Sequence, residues 1–160
     1  MMKIVIGADP LGFDLKNTVK ELLEHEGHDV MDVSTNDPIE YQSVGFEVGK
    51  RIASKQFDYG FIFCGTGMGV SLVANKFTGV YCALCESIET ATLSRKINNA
   101  NILAMGGLVV TPYMAKKMVQ SFLTTDFSYG FDHSDPDTLR CGYEAVQQLE
   151  KEIQVINQKN

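Results

Sequence analysis

The sequence predicts a three-layer α-β-α domain built on a five-stranded parallel sheet, and three observations carry that prediction. Short apolar runs rich in β-branched residues alternate with amphipathic stretches from the first residues onward, the pattern of a parallel sheet with crossover helices. The run Tyr59-Gly60-Phe61-Ile62-Phe63 is nearly all apolar, as a strand covered on both faces must be. At 160 residues, with 44% hydrophobic and 21% charged residues, the chain has the size and composition of one ordinary globular domain.

The elements follow in order. Lys3 to Ala8 is a β-branched run too short for a helix, and Asp9-Pro10-Leu11-Gly12 ends it. Leu15, Val19, Leu22 and Leu23 fall on one face of a helix that Gly27 closes. Asp29 to Val33 reads as the second strand and Ser34 to Tyr41 as a loop. Val44, Val48 and Ile52 mark the second helix, and the Tyr59–Phe63 strand follows. A short helix is expected to about Lys76, then a strand over Val80 to Leu84. Ser87 suits the cap of a helix reaching Asn98. Asn101 to Met105 is the fifth strand, closed by Gly106-Gly107. Thr111-Pro112 then opens a helix with Met114, Met118, Val119 and Phe122 inward. After Thr124, residues 126–141 are rich in Gly, Asp and Pro, and Val146, Leu149 and Ile153 give a last amphipathic helix. The reading is a single domain over residues 1–160, in which 126–160 form a C-terminal tail and helix expected to contact a partner subunit.

Composition narrows the function. A formal charge of −6 and the lack of any Lys/Arg cluster argue against nucleic acid. The pairs Arg95-Lys96 and Lys116-Lys117 read as solvated helix surface. No apolar run approaches the roughly 20 residues of a membrane span. Met1-Met2-Lys3 leads straight into a strand without signal-peptide architecture, so a cytoplasmic location is expected. The four cysteines, Cys64, Cys82, Cys85 and Cys141, are then expected to be reduced thiols. Cys82 and Cys85 lack the second ligand pair of a zinc site, and His25 and His28 read as surface residues.

Ligands in such sheets gather at the carboxyl ends of the strands. That rule selects Asp9 to Gly12, Cys64 to Ser71, Cys85 to Ser87, and Gly106-Gly107. Cys64 ends the third strand, and Gly65, Gly67 and Gly69 follow it. Glycines so spaced let backbone N–H groups turn inward toward an anion or a developing oxyanion. A thiol beside them, ahead of a helix, is placed to favour the thiolate and to act as nucleophile or general base. A small buried cysteine above a tight turn is the other reading of the same residues. The loop lacks the third glycine of the dinucleotide fingerprint and the lysine of a P-loop.

The run Cys64-Gly65-Thr66-Gly67-Met68-Gly69-Val70-Ser71, with Ala74-Asn75-Lys76 and Gly79-Val80 after it, closely resembles type B ribose-5-phosphate isomerases and galactose-6-phosphate isomerase subunits. Ile6-Gly7-Ala8-Asp9, Leu93-Ser94-Arg95 and Asn98-Asn99-Ala100-Asn101 fit that family too, and the likeness covers roughly Met2 to Phe127. The resemblance implies a Rossmann-like fold and an aldose–ketose isomerase that uses no metal or cofactor and passes through an enediolate. It implies that Cys64 moves a proton between sugar C1 and C2. Thr66 and the amides of Gly65, Gly67 and Gly69 would stabilise the enediolate oxygen, with help from Ser71. Asp9 would bind sugar hydroxyls, and Asn98 would hold hydroxyls from the other side, reaching a partner's site. A homodimer or tetramer is implied, or an assembly with a paralogous subunit.

Several family groups are missing. Pro10 stands where the family commonly has histidine, Ile97 replaces a ring-opening histidine, and Leu108 replaces an arginine. The usual Gly-Gly-Arg-His tail aligns with Tyr129-Gly130-Phe131-Asp132, while His133 and Arg140 nearby offer substitute charge. Three readings follow: an isomerase for a sugar or sugar phosphate other than ribose 5-phosphate, one subunit of a heteromeric isomerase, or a non-catalytic sugar-binding relative. Retention of Cys64, Thr66, Asp9 and Asn98 speaks against the last.

Overall fold

Side chains along a strand alternate between the two faces of its sheet, and here that alternation sorts the core into two layers. A computed structural model describes residues 1–158. Its strands β1 (Lys3–Ala8), β2 (Asp29–Asp32), β3 (Tyr59–Cys64), β4 (Cys82–Leu84) and β5 (Ile102–Gly106) form one parallel sheet in the order β2-β1-β3-β5-β4. Ile4, Ile6, Phe61, Phe63, Leu103 and Met105 point to one face. There they meet α1 (Phe13–His25), α4 (Ile88–Asn98) and α5 (Pro112–Thr124). Val5, Ile62, Cys64, Ile102 and Ala104 point to the other. That face is covered by α2 (Tyr41–Ala53) and α3 (Met68–Ala74).

Local chemistry ends and starts these helices largely where the residues indicate. Gly27 sits at φ +80° after α1, a conformation that costs glycine nothing. Ser87 accepts the Thr90 N–H at 3.1 Å, and the Thr90 side chain accepts the Ser87 N–H at 3.3 Å, a reciprocal box at the start of α4. Asn99, at φ +52°, stops the same helix. Its end is locked from inside: Arg95 donates to Asn99 Oδ1 at 2.8 Å and to the Ala100 carbonyl at 2.7 Å. The Arg95 guanidinium also lies over Tyr59 and Phe122. Arg95 is therefore buried rather than solvated as expected, because its charge is spent on a helix end and two aromatic faces. His28 likewise departs from a free surface histidine, since its Nδ1 accepts the Met2 N–H at 3.4 Å.

The tail differs most from its reading. Helix α6 (Pro136–Gln158) starts well inside the stretch that composition marks as irregular. Asp135 accepts the N–H groups of Asp137 and Thr138, both at 3.0 Å, so the acidic residue that suggested a loop is the cap of the helix. Helix α6 lies beside the β4 edge. Tyr143 joins Tyr81 and Phe127 edge-on, with ring centroids 5.3 Å apart in each pair. The Glu150 carboxylate accepts Gly79 N–H at 2.8 Å and the Tyr81 hydroxyl at 3.1 Å. Val146, Leu149 and Ile153 stay exposed.

Candidate functional site

The chain leaves β1 into α1 on one face of the sheet and leaves β3 into α3 on the other. Because β1 and β3 are neighbours, their carboxyl ends form the crevice where open α/β sheets hold ligands. Register pairs Ala8 with Phe63, which sets Asp9 beside Cys64. The Asp9 N–H donates to the Phe63 carbonyl at 3.1 Å and continues the ladder one step beyond the strand.

Glycine lets three loops close on this point. A side chain at Gly12 would strike the Phe63 carbonyl carbon at 2.6 Å, and one at Gly106 would strike Thr66 at 2.7 Å. Gly107 lies against the Leu11 carbonyl, where an added Cβ would come within 2.1 Å. The Gly107 N–H donates to the Cys64 carbonyl at 2.8 Å, and Leu108 N–H to the Gly65 carbonyl at 3.0 Å. Backbone bonds thus join the Cys64 loop to the loop after β5, leaving its side chains for other work.

Cys64 is 5% exposed, and its Sγ accepts the Gly67 N–H at 3.0 Å. Gly67 makes that contact at φ +78°, where any other residue is strained. Thr66 is exposed; its Oγ1 accepts the Met68 N–H at 3.3 Å, and among the described residues its own proton has no acceptor. Ser71 is buried in α3 and its hydroxyl donates to the Met68 carbonyl at 2.8 Å, so it braces the loop from beneath. Asp9 Oδ1 accepts the N–H groups of Leu11 and Gly12, each at 3.0 Å. Among the described residues its second oxygen has no donor. Cys64, Gly65, Thr66, Gly67, Gly69, Ser71 and Asp9 therefore share one site.

Asn98 does not join them within one chain. It ends α4 at the amino end of the sheet, lining a cavity of about 310 Å³ with Tyr81, Ile97, Thr138, Leu139 and Tyr143. Strand β5, with a rise of roughly 13 Å, runs from that end to Gly106 beside Cys64, so Asn98 and Cys64 lie toward opposite ends of the sheet. The altered tail lies with Asn98: Lys96 donates to the Gly130 carbonyl at 2.8 Å, and Phe131 stacks edge-on against His133. Arg140 donates to Ser128 Oγ at 2.9 Å and pairs with Asp137. Cys82 and Cys85 are free thiols whose ionisation burial opposes.

Three further side chains border the site: Tyr41 went unread in the sequence, Leu11 lies in a loop that the strand-end rule selects, and Leu108 was read only as a lost arginine. Tyr41 lies over Gly69, where an added Cβ would touch its ring at 2.7 Å. Leu11 and Leu108, 59% and 69% exposed, converge on Gly65 from two loops. The only signal for Tyr41 is position, since it sits beside a loop that the sheet carries to the same crevice. Among the described residues, no group of three or more His, Cys, Asp or Glu side chains is arranged to hold a metal ion. No helix there is long and apolar enough to cross a membrane.

Residues 4–136 match the family model described as Ribose/Galactose Isomerase. The chain is 40% identical over 156 residues to the 4-deoxy-4-sulfo-D-erythrose isomerase of Clostridium sp. (strain MSTE9), covering 95% of this chain and 98% of that one. It is 36% identical over 147 residues to the D-erythrulose-4-phosphate isomerase of Pectobacterium atrosepticum, covering 89% and 95%. Among solved structures it resembles Clostridium thermocellum ribose-5-phosphate isomerase B, with a TM-score of 0.86, 33% identity and coverage of 95% and 99%.

Proposed function

The chain belongs to the ribose/galactose isomerase family, and we propose that it interconverts an aldose and a ketose with Cys64 as the base. The observation that carries the reading is the Cys64 thiol, held by the Gly67 amide and set beside Asp9 at the mouth of the β1–β3 crevice. A thiolate there takes the proton from C2 of the open-chain aldose. The electron pair forms the C1–C2 double bond, and negative charge moves onto the C1 oxygen. The C2 hydroxyl proton passes to the C1 oxygen, and the Cys64 thiol returns its proton to C1 as the C2 oxygen becomes the ketone. The Thr66 hydroxyl and the amides of Gly65 and Gly69 donate to the enediolate oxygen, where donors lower the barrier most, while the Gly67 amide stays on the Cys64 sulfur. Asp9 holds sugar hydroxyls through its free oxygen, and Ser71 keeps the loop in shape. No step is assigned to a metal or cofactor.

The substrate in this reading is a short sugar with an anionic end. Two relatives of high coverage are named for four-carbon sugars, one sulfonated and one phosphorylated. Pro10, Leu108 and Phe131 supply no charge where ribose-5-phosphate isomerases commonly have it, and each lost charge-assisted contact costs roughly 1.5–3 kcal/mol. Arg140 and His133 in the tail are the replacements the chain itself offers. The separation of Asn98 from Cys64 supports an assembly in which one chain's Asn98 completes another's site, with identical subunits or with a paralogous one. Purified protein should be tested for aldose–ketose conversion on phosphorylated, sulfonated and free tetroses, pentoses and hexoses. Turnover of an anionic tetrose above all others is expected. Ribose 5-phosphate turned over best, at ordinary isomerase efficiency, would overturn the substrate assignment.

A further inference from the structure

Strand β2 ends at Asp32, paired with Ile6, so the Ala8 amide further along β1 has no strand carbonyl to meet. The Ser34 hydroxyl takes its place, accepting that N–H at 3.0 Å. Ser34 is itself held twice by Asp32 Oδ1, which accepts its N–H at 2.9 Å and its hydroxyl at 3.2 Å. The other Asp32 oxygen accepts Lys16 Nζ at 2.7 Å and Lys20 Nζ at 3.2 Å. Lys16 Nζ also donates to the Ser34 carbonyl at 2.9 Å and lies 4.1 Å from the centroid of the Phe13 ring. Lys16 is 0% exposed and the Asp32 side chain 2% exposed. Lys16 occupies the inward stripe of α1 with Leu15, Val19 and Leu23, where an aliphatic residue would ordinarily pack.

A buried ion pair is a poor way to gain stability, because desolvation consumes most of the attraction and apolar replacements often do as well. Fixed geometry is what such a pair supplies. Here the geometry ends one residue before Asp9. We propose that the buried chain from Lys16 through Asp32 and Ser34 to the Ala8 amide fixes the end of β1, and thereby the aim of the Asp9 carboxylate. Lys16, Asp32 and Ser34 are positioning residues for a sugar-binding group. The inference rests on the reading of Asp9 given above and deepens it. Lys20 closes the pair from the rim of the helix, and the Ile39 N–H, donating to the Ala8 carbonyl at 3.2 Å, holds the same residue from the following loop.

Ser34→Ala tests the link most cleanly, because it leaves both charges in place. Two measurements are made on the full chain. The first is hydrogen exchange at the Leu11 and Gly12 amides, which Asp9 Oδ1 holds. Exchange there should rise about tenfold in Ser34→Ala while the Val5 and Ile6 amides keep wild-type protection, and Ser34→Thr should restore the slow rate. The second is a double-mutant cycle of Ser34→Ala with Asp9→Asn, assayed on D-erythrulose 4-phosphate. Ser34→Ala alone should raise KM about threefold to tenfold with kcat within about twofold, the size of one lost hydrogen bond. In the Asp9→Asn background it should add almost nothing, as expected of residues that act through one another. Unchanged exchange at Leu11 and Gly12, or a Ser34→Ala effect that adds in full, would overturn the proposal. Asp9→Asn with a wild-type KM would remove the Asp9 assignment itself, and the exchange measurement would still decide whether the chain holds the turn.

Discussion

Gly67 concentrates several demands at one residue. Its N–H reaches the Cys64 sulfur, its φ is +78°, and a Cβ there would lie 2.5 Å from Leu84 Cδ1 and 3.0 Å from the Met105 carbonyl carbon. Gly67→Ala should destabilise the fold by at least the left-handed backbone cost of about 1–2 kcal/mol, and activity should fall further than stability does, read from thermal melts beside the assay. The Lys16–Asp32 pair sets a second expectation. Burial alone would push the Asp32 carboxyl up, but donors from Lys16, Ser34 and Lys20 outweigh it and hold the group below its ordinary range. A carboxylate whose folded pKa is depressed stabilises the fold above its unfolded value of about 3.9 and loses that contribution as pH falls through the folded pKa. Acid unfolding should therefore show a component below about pH 4 that Asp32→Asn removes. Lys16→Met leaves a buried carboxylate with only the rim lysine for a charge partner and should cost about 3–5 kcal/mol in denaturant melts.

At the scale of elements, the sheet was legible because each strand is a short apolar run between turn residues, while its order, β2-β1-β3-β5-β4, comes from tertiary pairing and was not read from the sequence. The Cys64 loop was legible as a tight turn at a strand end because three glycines follow the cysteine, and its role in chemistry came from resemblance. What stayed hidden had a physical cause in each case. Asp135 reads as a loop residue because a cap and a turn call for the same side chain. Arg95 reads as surface because charge is the usual sign of solvent, and only tertiary contacts show that aromatic faces and a carbonyl receive it. Asn98 was assigned through resemblance to a partner's site, and within one chain it lies at the end of the sheet away from Cys64. Helix α6 tests this scale. Cutting the chain before Tyr143 removes the ring contacts with Tyr81 and Phe127 and the Glu150 bonds to Gly79 and Tyr81. The truncated protein should form a weaker assembly and lose activity in parallel, by light scattering and assay; full activity as a monomer would refute a role for the helix in assembly.

For the whole molecule, the placement of Asn98 and Cys64 toward opposite ends of the sheet makes complementation a natural test. Cys64→Ala and Asn98→Ala chains, each inactive alone, should regain part of the wild-type rate when mixed and allowed to exchange subunits, because some hybrid sites then hold both residues. Activity that never returns would place Asn98 outside the partner's site. The central claim is narrower and can be read directly. Wild-type protein incubated with its sugar in deuterated water should place deuterium at the carbon that Cys64 reprotonates. Cys64→Ala, with an unchanged melting temperature and circular dichroism spectrum, should place none above the solvent background. Deuterium incorporation by Cys64→Ala at the wild-type rate would contradict the account, since the proton would then be moving through a group other than the thiol.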